Sequence, residues 1–176
     1  MNAPLAHPLN GATALLDTAN LRRALGAFPT GVTIVTTLDE TGALQGLTAN
    51  AFSAVSLEPP LVLVCVGHRS RSYASLVRVG RFAIHILSDD QADEARHFAE
   101  PGLRRGAKVK WTVNARGLPV LERYVALIEC RLSAEHSGGD HAILIGAVEA
   151  ISHGPKDARP LLYHRGRLLG SEALPE

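Results

Sequence analysis

The chain has 176 residues, of which 46% are hydrophobic and 20% charged, and its formal net charge at pH 7 is +1. This length suffices for one domain with a substantial apolar core, so neither disulfides nor a structural metal is required. The balanced charge offers no basic excess to a nucleic-acid backbone or an anionic membrane. The apolar runs are also far shorter than the roughly 20 residues that span a bilayer. We therefore expect one globular domain that binds neither nucleic acid nor membrane.

The two ends of the chain are expected to flank this domain as tails. Residues 1–17 contain early prolines and no basic segment, which argues against a signal peptide and favours a disordered tail. We place the domain at residues 18–170 and a short tail at residues 171–176. Cys65 and Cys130 lie in apolar surroundings without C-x-x-C spacing, so we expect reduced thiols in a cytoplasmic protein.

The first predicted elements are a short helix and a β-hairpin. Asp17 or Thr18 can cap a helix through residues 21–25. Residues 32–37, Val-Thr-Ile-Val-Thr-Thr, are β-branched throughout and predict a strand. Residues 39–42 predict the turn into a second, antiparallel strand.

That second strand, in the stretch at residues 46–58, is extended in character but unusually polar. Its hydrogen-bonding side chains are Thr48, Asn50, Ser53 and Ser56. Buried hydroxyls and amides cost free energy unless they are paired, so we expect them to line a groove for a neutral, planar ligand. The following run at residues 61–66, Leu-Val-Leu-Val-Cys-Val, predicts a strand that is buried on both faces.

The pattern T-A-N-A-F-S-A-V-S-L-E-P-P-L-V-L-V-C-V at residues 48–66 resembles the short-chain flavin reductases with the FMN-binding split-barrel fold. These are reductase components of two-component flavin monooxygenases. The resemblance runs from about residue 21 to residue 169, and the segment F-P-T-G-V at residues 28–32 belongs to it. It implies an all-β fold with peripheral helices, namely an antiparallel, six-stranded split β-barrel of Greek-key type.

A strand-to-helix junction, G-H-R-S-R-S at residues 67–72, precedes a helical pattern at residues 73–77. Free amides at a helix N-terminus attract anions, and the serines and arginines strengthen that attraction. The alternative is an ordinary serine cap with solvated arginines. The resemblance implies that this segment binds the phosphate of the flavin.

Residues 81–87 alternate and predict a strand, and residues 88–91 predict a capping box for a helix over residues 91–98. Glu94 and His97 have the Glu-x-x-His spacing of di-iron ligands. A second copy of that motif is missing from the sequence, so an exposed helix face is the better interpretation.

The segment after this helix predicts irregular structure and then a return into the barrel. Residues 101–110 are glycine-rich and basic, which predicts a mobile loop near the mouth of the site. Trp111 and residues 118–121 are expected to lead back into the barrel.

Two long β-rich runs, residues 124–134 and 142–151, predict barrel strands joined by residues 135–141. The connection contains G-G-D-H at residues 138–141, which is typical of a turn and resembles the G-D-H motif of the family. The resemblance places its histidine beside the nicotinamide. His136 and His141 are five residues apart without a cysteine or carboxylate at ligand spacing, so we predict no metal site.

The segment P-L-L-Y-H-R-G-R-L at residues 160–168 resembles the closing segment P-L-x-Y-x-x-G-x-[YF] of the family. Leu168 stands where an aromatic residue is usual, so stacking from that position is not implied.

Carried over onto matching positions, the resemblance implies a set of site residues. His141 is the catalytic candidate and would contact the nicotinamide. The cofactor-binding candidates are Pro29, Thr30, Thr48, Ala49, Asn50, Ser53, Cys65, Val66, Arg69, Ser70, Ser72, Tyr163 and Arg167. Among these, Arg69, Ser70 and Ser72 would take the phosphate. Tyr163 or Arg167 would close the pocket.

The sequence has no dinucleotide-binding glycine motif after its first strand, no Walker loop and no G-x-S-x-G elbow. The resemblance implies the function of an NAD(P)H:flavin oxidoreductase, which reduces FMN or FAD with NADH, or alternatively with NADPH. For NADPH, Arg104, Arg105 or Lys108 could meet the extra phosphate. The resemblance further implies a homodimer that transfers reduced flavin transiently to a separate monooxygenase or halogenase.

Two other functions stay open at this point. One is a flavin-dependent reductase of another acceptor, such as a cobalt corrinoid. The other is a non-enzymatic flavin-binding protein on the same fold.

Overall fold

The computed structural model describes residues 17–100 and 109–170 of the chain. Its helices are α1 (Thr18–Leu25), α2 (Arg71–Val79) and α3 (Ala92–Ala99), and a single 3-10 turn spans Asp89–Gln91. The first six strands are β1 (Thr30–Gly31), β2 (Thr33–Leu38), β3 (Leu44–Ala49), β4 (Phe52–Leu57), β5 (Pro60–Gly67) and β6 (Arg81–Ile86). The others are β7 (Trp111–Val113), β8 (Pro119–Leu121), β9 (Ala126–Gly138), β10 (His141–His153), β11 (Leu162–His164) and β12 (Arg167–Leu169).

Seven strands form one antiparallel sheet in the order β3-β2-β6-β9-β10-β5-β4. Strands β1, β11 and β12 form a small second sheet, and β7 pairs with β8 in a third. The prediction of a mostly β protein with few helices is confirmed. The prediction of six strands is wrong, because the main sheet has seven. Its edge strands β3 and β4 are not paired with each other, so the barrel is not closed.

The seventh strand arises because the polar stretch predicted as one strand is broken in two. Strand β3 ends at Ala49 and β4 begins at Phe52, so only Asn50 and Ala51 separate the two edges of the sheet. Three virtual bonds between Cα atoms span at most about 11 Å. The sheet must therefore curl until its edges meet at this corner, which gives a barrel split along one seam.

Strand β2 is buried on both faces, although it is the second strand from one edge of the sheet. Val35 packs in a cluster with Leu76 of α2 and with side chains from β5, β6, β9 and β10, which is the interior of the curled sheet. On the opposite face, Ile34 packs in a second cluster with Phe98 of α3 and Leu161. Each such side chain contributes roughly 1.5–3 kcal/mol when it is fully buried.

The threonines of β2 are buried without loss because each hydroxyl donates to a backbone carbonyl. Thr33 Oγ1 donates to Ala49 O at 2.7 Å, and Thr36 Oγ1 donates to Pro119 O at 2.7 Å. Thr37 Oγ1 donates to Arg81 O at 2.9 Å. A run of β-branched residues thus serves both as a strand and as a link to neighbouring segments.

The predicted helices are confirmed, with local shifts at their ends. Asp17 caps α1 and accepts a hydrogen bond from the backbone N–H of Asn20 at 2.7 Å. Helix α2 ends at Gly80, whose φ of +67° suits glycine at a helix C-terminus. The capping box of Ser88 and Gln91 is formed, but it opens the 3-10 turn, and α3 follows from Ala92.

Three further expectations need correction. Strand β5 alternates between buried and half-buried positions, so only one of its faces is fully buried. Trp111 and residues 118–121 do not return into the barrel but form the separate pair β7–β8. The long strands β9 and β10 run on to Gly138 and His141, so their connection is only two residues long.

The predicted tails lie, apart from Asp17, outside the described residues, as do residues 101–108 of the predicted loop. The domain limits and the proposed roles of Arg104, Arg105 and Lys108 therefore stay predictions. Across residues 17–100 and 109–170, the helices are too short or too polar for any of them to cross a bilayer.

Candidate functional site

Strand β5 brings the two predicted halves of the site together at two positions that are separated by one residue. The backbone N–H of Cys65 donates to the carbonyl of Ala51 at 3.0 Å, which fixes the corner between β3 and β4 onto this strand. Two residues later, Gly67 is paired with His141 of the G-D-H turn. Val66, between them, points into the core and is fully buried. The polar corner and the histidine turn therefore lie side by side.

At the corner, Thr48 and Ala49 hold the structure together, whereas Asn50 and Ser53 are exposed. The Thr48 hydroxyl donates to Ala95 O of α3 at 2.6 Å, and Ala49 is buried with its carbonyl bonded to Thr33. Asn50 is exposed, and its amide makes no hydrogen bond to any described residue. Ser53 is also exposed, with its hydroxyl 3.1 Å from Ala54 O. The amide of Asn50 is thus a side-chain group at this corner that no described residue occupies.

The segment after β5 presents two of its three predicted phosphate-binding residues to solvent. Arg69 is exposed, and Ser70 caps α2 through its position without a side-chain hydrogen bond to the helix. Ser72 differs, because it is buried and its hydroxyl donates to Gly46 O at 2.8 Å. Its one proton is used in docking α2 onto β3. The structure therefore favours Arg69 and Ser70, and not Ser72, as donors to an anion.

The G-D-H turn holds its histidine through the preceding aspartate. The Nδ1–H of His141 donates to Oδ1 of Asp140 at 2.7 Å. This hydrogen bond, followed by the charge of the imidazole, lowers the pKa of the Asp140 carboxyl. The imidazole packs over Gly67, since a Cβ built on that glycine would lie 3.6 Å from Nε2 of His141. The ring is therefore oriented with Nε2 left for another partner.

His141 and Asp140 line a cleft of about 400 Å³ together with Gly67, His68 and Arg69. The backbone N–H of His68 donates to Asp140 O at 3.1 Å, so the segment after β5 and the turn are bound directly to each other. The cleft contains one arginine, one carboxylate and two imidazoles, of which that of His141 is oriented by Asp140. Such a set can bind and orient a polar ligand that carries negative charge.

The small second sheet contributes the remaining predicted residues. Thr30 of β1 is paired with Tyr163 of β11, and Pro29 beside it is exposed. The Thr30 hydroxyl is buried, yet within residues 17–100 and 109–170 it has no hydrogen-bond partner. An unsatisfied buried hydroxyl costs about 1–3 kcal/mol, so this atom indicates a missing partner such as a ligand. Arg167 of β12 is exposed next to this pair.

Several residues that line the clefts of the structure were not predicted from the sequence. Asp140 was given only a role in the turn, and His68 was given none, although both flank predicted site residues. Arg22, Arg23 and Arg165, which line a second cleft with Tyr163, were also left out. The backbone hydrogen bond from Arg165 N–H to Gly26 O joins the two segments that carry these arginines, and no local motif indicates that contact.

Among the described residues, no three histidine, cysteine, aspartate or glutamate side chains are placed so that they could hold a metal ion. The polar groups of the site are the amide of Asn50, hydroxyls, arginines, two imidazoles and one carboxylate. They suit an organic, phosphorylated ligand better than a cation.

Comparison with known proteins gives consistent matches over nearly the whole chain. The family model described as the flavin reductase like domain matches residues 25–171. The reductase subunit HsaB of a flavin-dependent monooxygenase from Rhodococcus jostii is 39% identical over 161 residues, covering 92% of this chain and 82% of that protein. A flavin reductase (NADH) from Kitasatospora aureofaciens is 42% identical over 164 residues, covering 92% of this chain and 86% of that protein.

Among solved structures, the NADH:FAD oxidoreductase SgcE6 of Streptomyces globisporus, in complex with NAD and FAD fragments, is similar in fold and sequence. Its TM-score is 0.82 at 38% sequence identity, and the match covers 87% of this chain and 92% of that chain.

Proposed function

The chain belongs to the flavin reductase family, and on that premise we propose that it is an NADH:flavin oxidoreductase. The net reaction converts NADH, a proton and oxidised flavin into NAD+ and reduced flavin. The relatives named as monooxygenase reductase subunits support a role in supplying that reduced flavin to a separate monooxygenase or halogenase.

This proposal rests mainly on one observation: strand β5 contacts both the polar corner and the histidine turn. Cys65 anchors the corner that contains Asn50, and Gly67 is paired with His141. A planar ligand at the corner and a second ligand at the turn would therefore lie next to each other. Hydride transfer needs that adjacency more than it needs an acid or a base.

The residues present fit FMN or FAD. The unpaired Thr30 hydroxyl and the free Asn50 amide are neutral groups suited to the polar edge of an isoalloxazine ring. Arg69 and Ser70 offer a charge and a free hydroxyl at the start of α2 for a phosphate. When bound, the flavin supplies the hydride acceptor and the electronics of the reaction.

The roles of the chain's own residues follow from their placement. Asn50 and Thr30 would orient the ring, with Pro29, Ala49, Ser53 and Cys65 as its surroundings. His141, held by Asp140, would bind and orient the nicotinamide at the cleft beside Gly67. Tyr163 and Arg167 would restrict access of water from the side of the small sheet. None of these groups is required to exchange a proton in the transfer step.

We also infer a homodimer and a cytoplasmic location. The site corner is open in a single chain, because Asn50, Ala51 and Ser53 are all exposed. Edge strand β4 continues from this corner with Leu57 93% exposed and Val55 47% exposed. A second copy that covers β4 would bury this apolar surface and enclose the corner. The two free cysteines support a reducing compartment.

The experiment that tests the function is steady-state oxidation of NADH, followed by its absorbance, with FMN, FAD or riboflavin added in turn. We expect a rate that saturates with added flavin, which identifies flavin as a released substrate. Yellow protein without any flavin-dependent oxidation of NADH would contradict the proposal and favour a flavin-binding protein. Faster turnover with a cobalt corrinoid than with free flavin would indicate a reductase of another acceptor.

A further inference from the structure

The hydrogen bond between Asp140 and His141 determines which nitrogen of the imidazole carries the proton. The pKa of the Asp140 carboxyl is lowered, mainly by this hydrogen bond, so the group is ionised at neutral pH and can only accept. The nitrogen that lies 2.7 Å from it, Nδ1 of His141, is therefore the donor. A neutral imidazole has one protonated nitrogen, so Nε2 of His141 carries a lone pair and is a hydrogen-bond acceptor.

Gly67 keeps this acceptor open to a ligand. It is the strand partner of His141, and a Cβ built on it would lie 3.6 Å from Nε2 and 3.8 Å from Cδ2 of the imidazole. A side chain at position 67 would therefore cover this edge of the ring. No donor from residues 17–100 or 109–170 is bonded to Nε2. The acceptor is thus left to a ligand in the cleft of about 400 Å³ that both residues line.

The second imidazole of the cleft is not held in the same way. His68 packs edge to face against Tyr73, with ring centroids 5.1 Å apart. Within the described part of the chain, no carboxylate is hydrogen-bonded to the ring of His68, so either of its nitrogens can carry the proton. His141 is therefore the imidazole of this cleft whose acceptor nitrogen is defined by the fold.

Stability does not explain the pairing of Asp140 with His141. Their side chains are 94% and 48% exposed, and interactions between solvated groups contribute little to folding. The turn is made by Gly139, whose φ is +75°, together with Asp140, and it does not require an imidazole at the first position of β10. The consequence of the pairing therefore lies in what the ring offers to a ligand.

We propose that Asp140 is a positioning residue that keeps Nε2 of His141 an acceptor, so that the cleft selects a pyridine ring whose substituent donates a hydrogen bond. This inference rests on the proposed function for its ligand, the nicotinamide ring of NADH. The carboxamide of that ring has an N–H group that can donate to Nε2. An acetyl group of similar shape has no donor, and a carboxylate would place negative charge against the lone pair. A site that hydrogen-bonds an N–H rejects analogues that lack it.

The test measures inhibition constants against NADH for three oxidised dinucleotides that differ only in the substituent at C3 of the pyridine ring. They are NAD+, its 3-acetylpyridine analogue and its nicotinic acid analogue. We expect the wild type to bind NAD+ about tenfold more tightly than either analogue, which corresponds to one hydrogen bond. Asp140→Ala leaves the proton free to move to Nε2, so the preference over the acetyl analogue, which has the same charge as NAD+, should largely disappear. Asp140→Asn keeps an acceptor oxygen and should restore part of it.

Gly67→Ala tests the same acceptor while Asp140 stays in place. The added methyl group makes an ordinary van der Waals contact with the ring, so the fold is kept, but it covers Nε2 and should also abolish the preference. Asp157→Ala is the matched control, because it removes an exposed carboxylate beyond the far end of β10 and should leave all three inhibition constants unchanged. A preference that persists in both Asp140→Ala and Gly67→Ala would overturn the inference, as would equal binding of NAD+ and its acetyl analogue by the wild type.

Long-range ¹H–¹⁵N NMR of the protein without dinucleotide provides a readout that does not depend on turnover, because it shows which ring nitrogen is protonated. At about pH 8, we expect His141 of the wild type to be protonated on Nδ1 alone, and that of Asp140→Ala to be a mixture of both forms. A wild type with the proton on Nε2 would refute the role of Asp140. A proton on Nδ1 in a protein that never oxidises NADH would instead overturn the proposed function and leave the positioning role in place.

Discussion

Among single residues, His85 of β6 has a strong effect on stability because it is fully buried and still polar. Its Nε2 accepts a hydrogen bond from the backbone N–H of Leu121 at 3.1 Å. The proton is therefore on Nδ1, which donates to Ile34 O at 3.1 Å. Burial lowers the pKa of His85 from 6.5 to about 4. The neutral ring thus links β2, β6 and β8.

The free energy of unfolding should consequently fall as pH is lowered from 6.5 to about 4. In this window the unfolded chain binds a proton at His85 that the folded protein does not, so stability is complete above it. The loss approaches about 3 kcal/mol at the lower limit. Asp39, whose pKa is lowered to about 2 mainly by its hydrogen bond from Thr41, titrates below this window.

Urea unfolding across this pH range would measure the effect. His85→Gln should flatten the profile, and the exposed His136→Gln should keep the slope of the wild type. A wild-type stability that does not change over this range would contradict the assignment.

His141 and Asn50 allow the two halves of the proposed site to be tested against each other. Asn50→Ala removes a free amide at the corner, so it should weaken flavin binding about tenfold and leave KM for NADH unchanged. His141→Ala removes the oriented imidazole, so it should raise KM for NADH and leave flavin binding unchanged.

Flavin fluorescence titration and steady-state kinetics measure these two quantities, and each variant is the control for the other. Equal flavin affinity in Asn50→Ala and wild type would contradict the role of Asn50. A loss of flavin affinity in His141→Ala would contradict the prediction that His141 contacts the nicotinamide and not the flavin.

At the level of secondary-structure elements, β3 is where two helices attach to the sheet just before the site corner. Ser72 of α2 donates to Gly46 O, and Thr48 donates to Ala95 O of α3. The ring of Phe98 of α3 lies against Gly46, where a Cβ would come within 2.6 Å of Cε1. Glycine is needed here because the ring occupies the space of a side chain.

Gly46→Ala should therefore destabilise the protein by about 1–3 kcal/mol, because Phe98 must move out of a filled core. Chemical denaturation measures this loss. Gly31→Ala is the matched control. Apart from its chain neighbours, no described residue has an atom within 4 Å of the added Cβ, so its effect should stay within about 0.5 kcal/mol. Equal stability of Gly46→Ala and wild type would show that the ring can shift without cost.

The elements that were predicted correctly from the sequence are those whose formation depends on residues close to one another in the chain. The cap at Asp17, the capping box at Ser88 and the strand of β-branched residues in β2 depend on neighbours in the chain. The break at Asn50 and Ala51 has no glycine or proline to mark it, and it is decided by the hydrogen bond to Cys65, a non-local partner. The separate pair β7–β8 was missed for the same reason, because pairing is not encoded locally.

The site residues also divide into those that local motifs predict and those whose placement depends on non-local contacts. Asn50, Arg69, Ser70 and His141 were predicted from motifs, and their placement is consistent with ligand binding. Ser72 was predicted to face a phosphate, but its burial depends on how α2 meets β3. No periodicity in the sequence distinguishes a serine that faces the core from one that faces a ligand.

At the level of the whole molecule, we expect edge strand β4 to form the contact between two copies of the proposed homodimer. It leaves Leu57 and Val55 exposed beside a site that is open on one side. We expect a dimer at micromolar concentration, and we expect Leu57→Asp to shift it towards monomer and to weaken flavin binding at the same time.

Light scattering coupled to size exclusion measures the mass, and Val113→Asp is the control. Val113 is also exposed, at 53%, but it lies on the separate β7–β8 pair. A monomeric wild type would contradict the expectation, and dissociation by Val113→Asp alone would place the interface elsewhere.

The corner of Asn50 and Ala51 also determines how this protein tolerates changes in chain length. Insertions into surface turns usually have little cost, because the entropy of closing a loop grows only slowly with its length. Here the inserted residues would lengthen the connection between edge strands β3 and β4, so the gap between the two edges of the main sheet would widen. Homologues that differ in length should therefore vary at the turns of residues 39–42 and 114–117 and keep this connection at two residues. The same short link carries Asn50, so the width of the barrel and the position of this ligand-binding candidate cannot change independently.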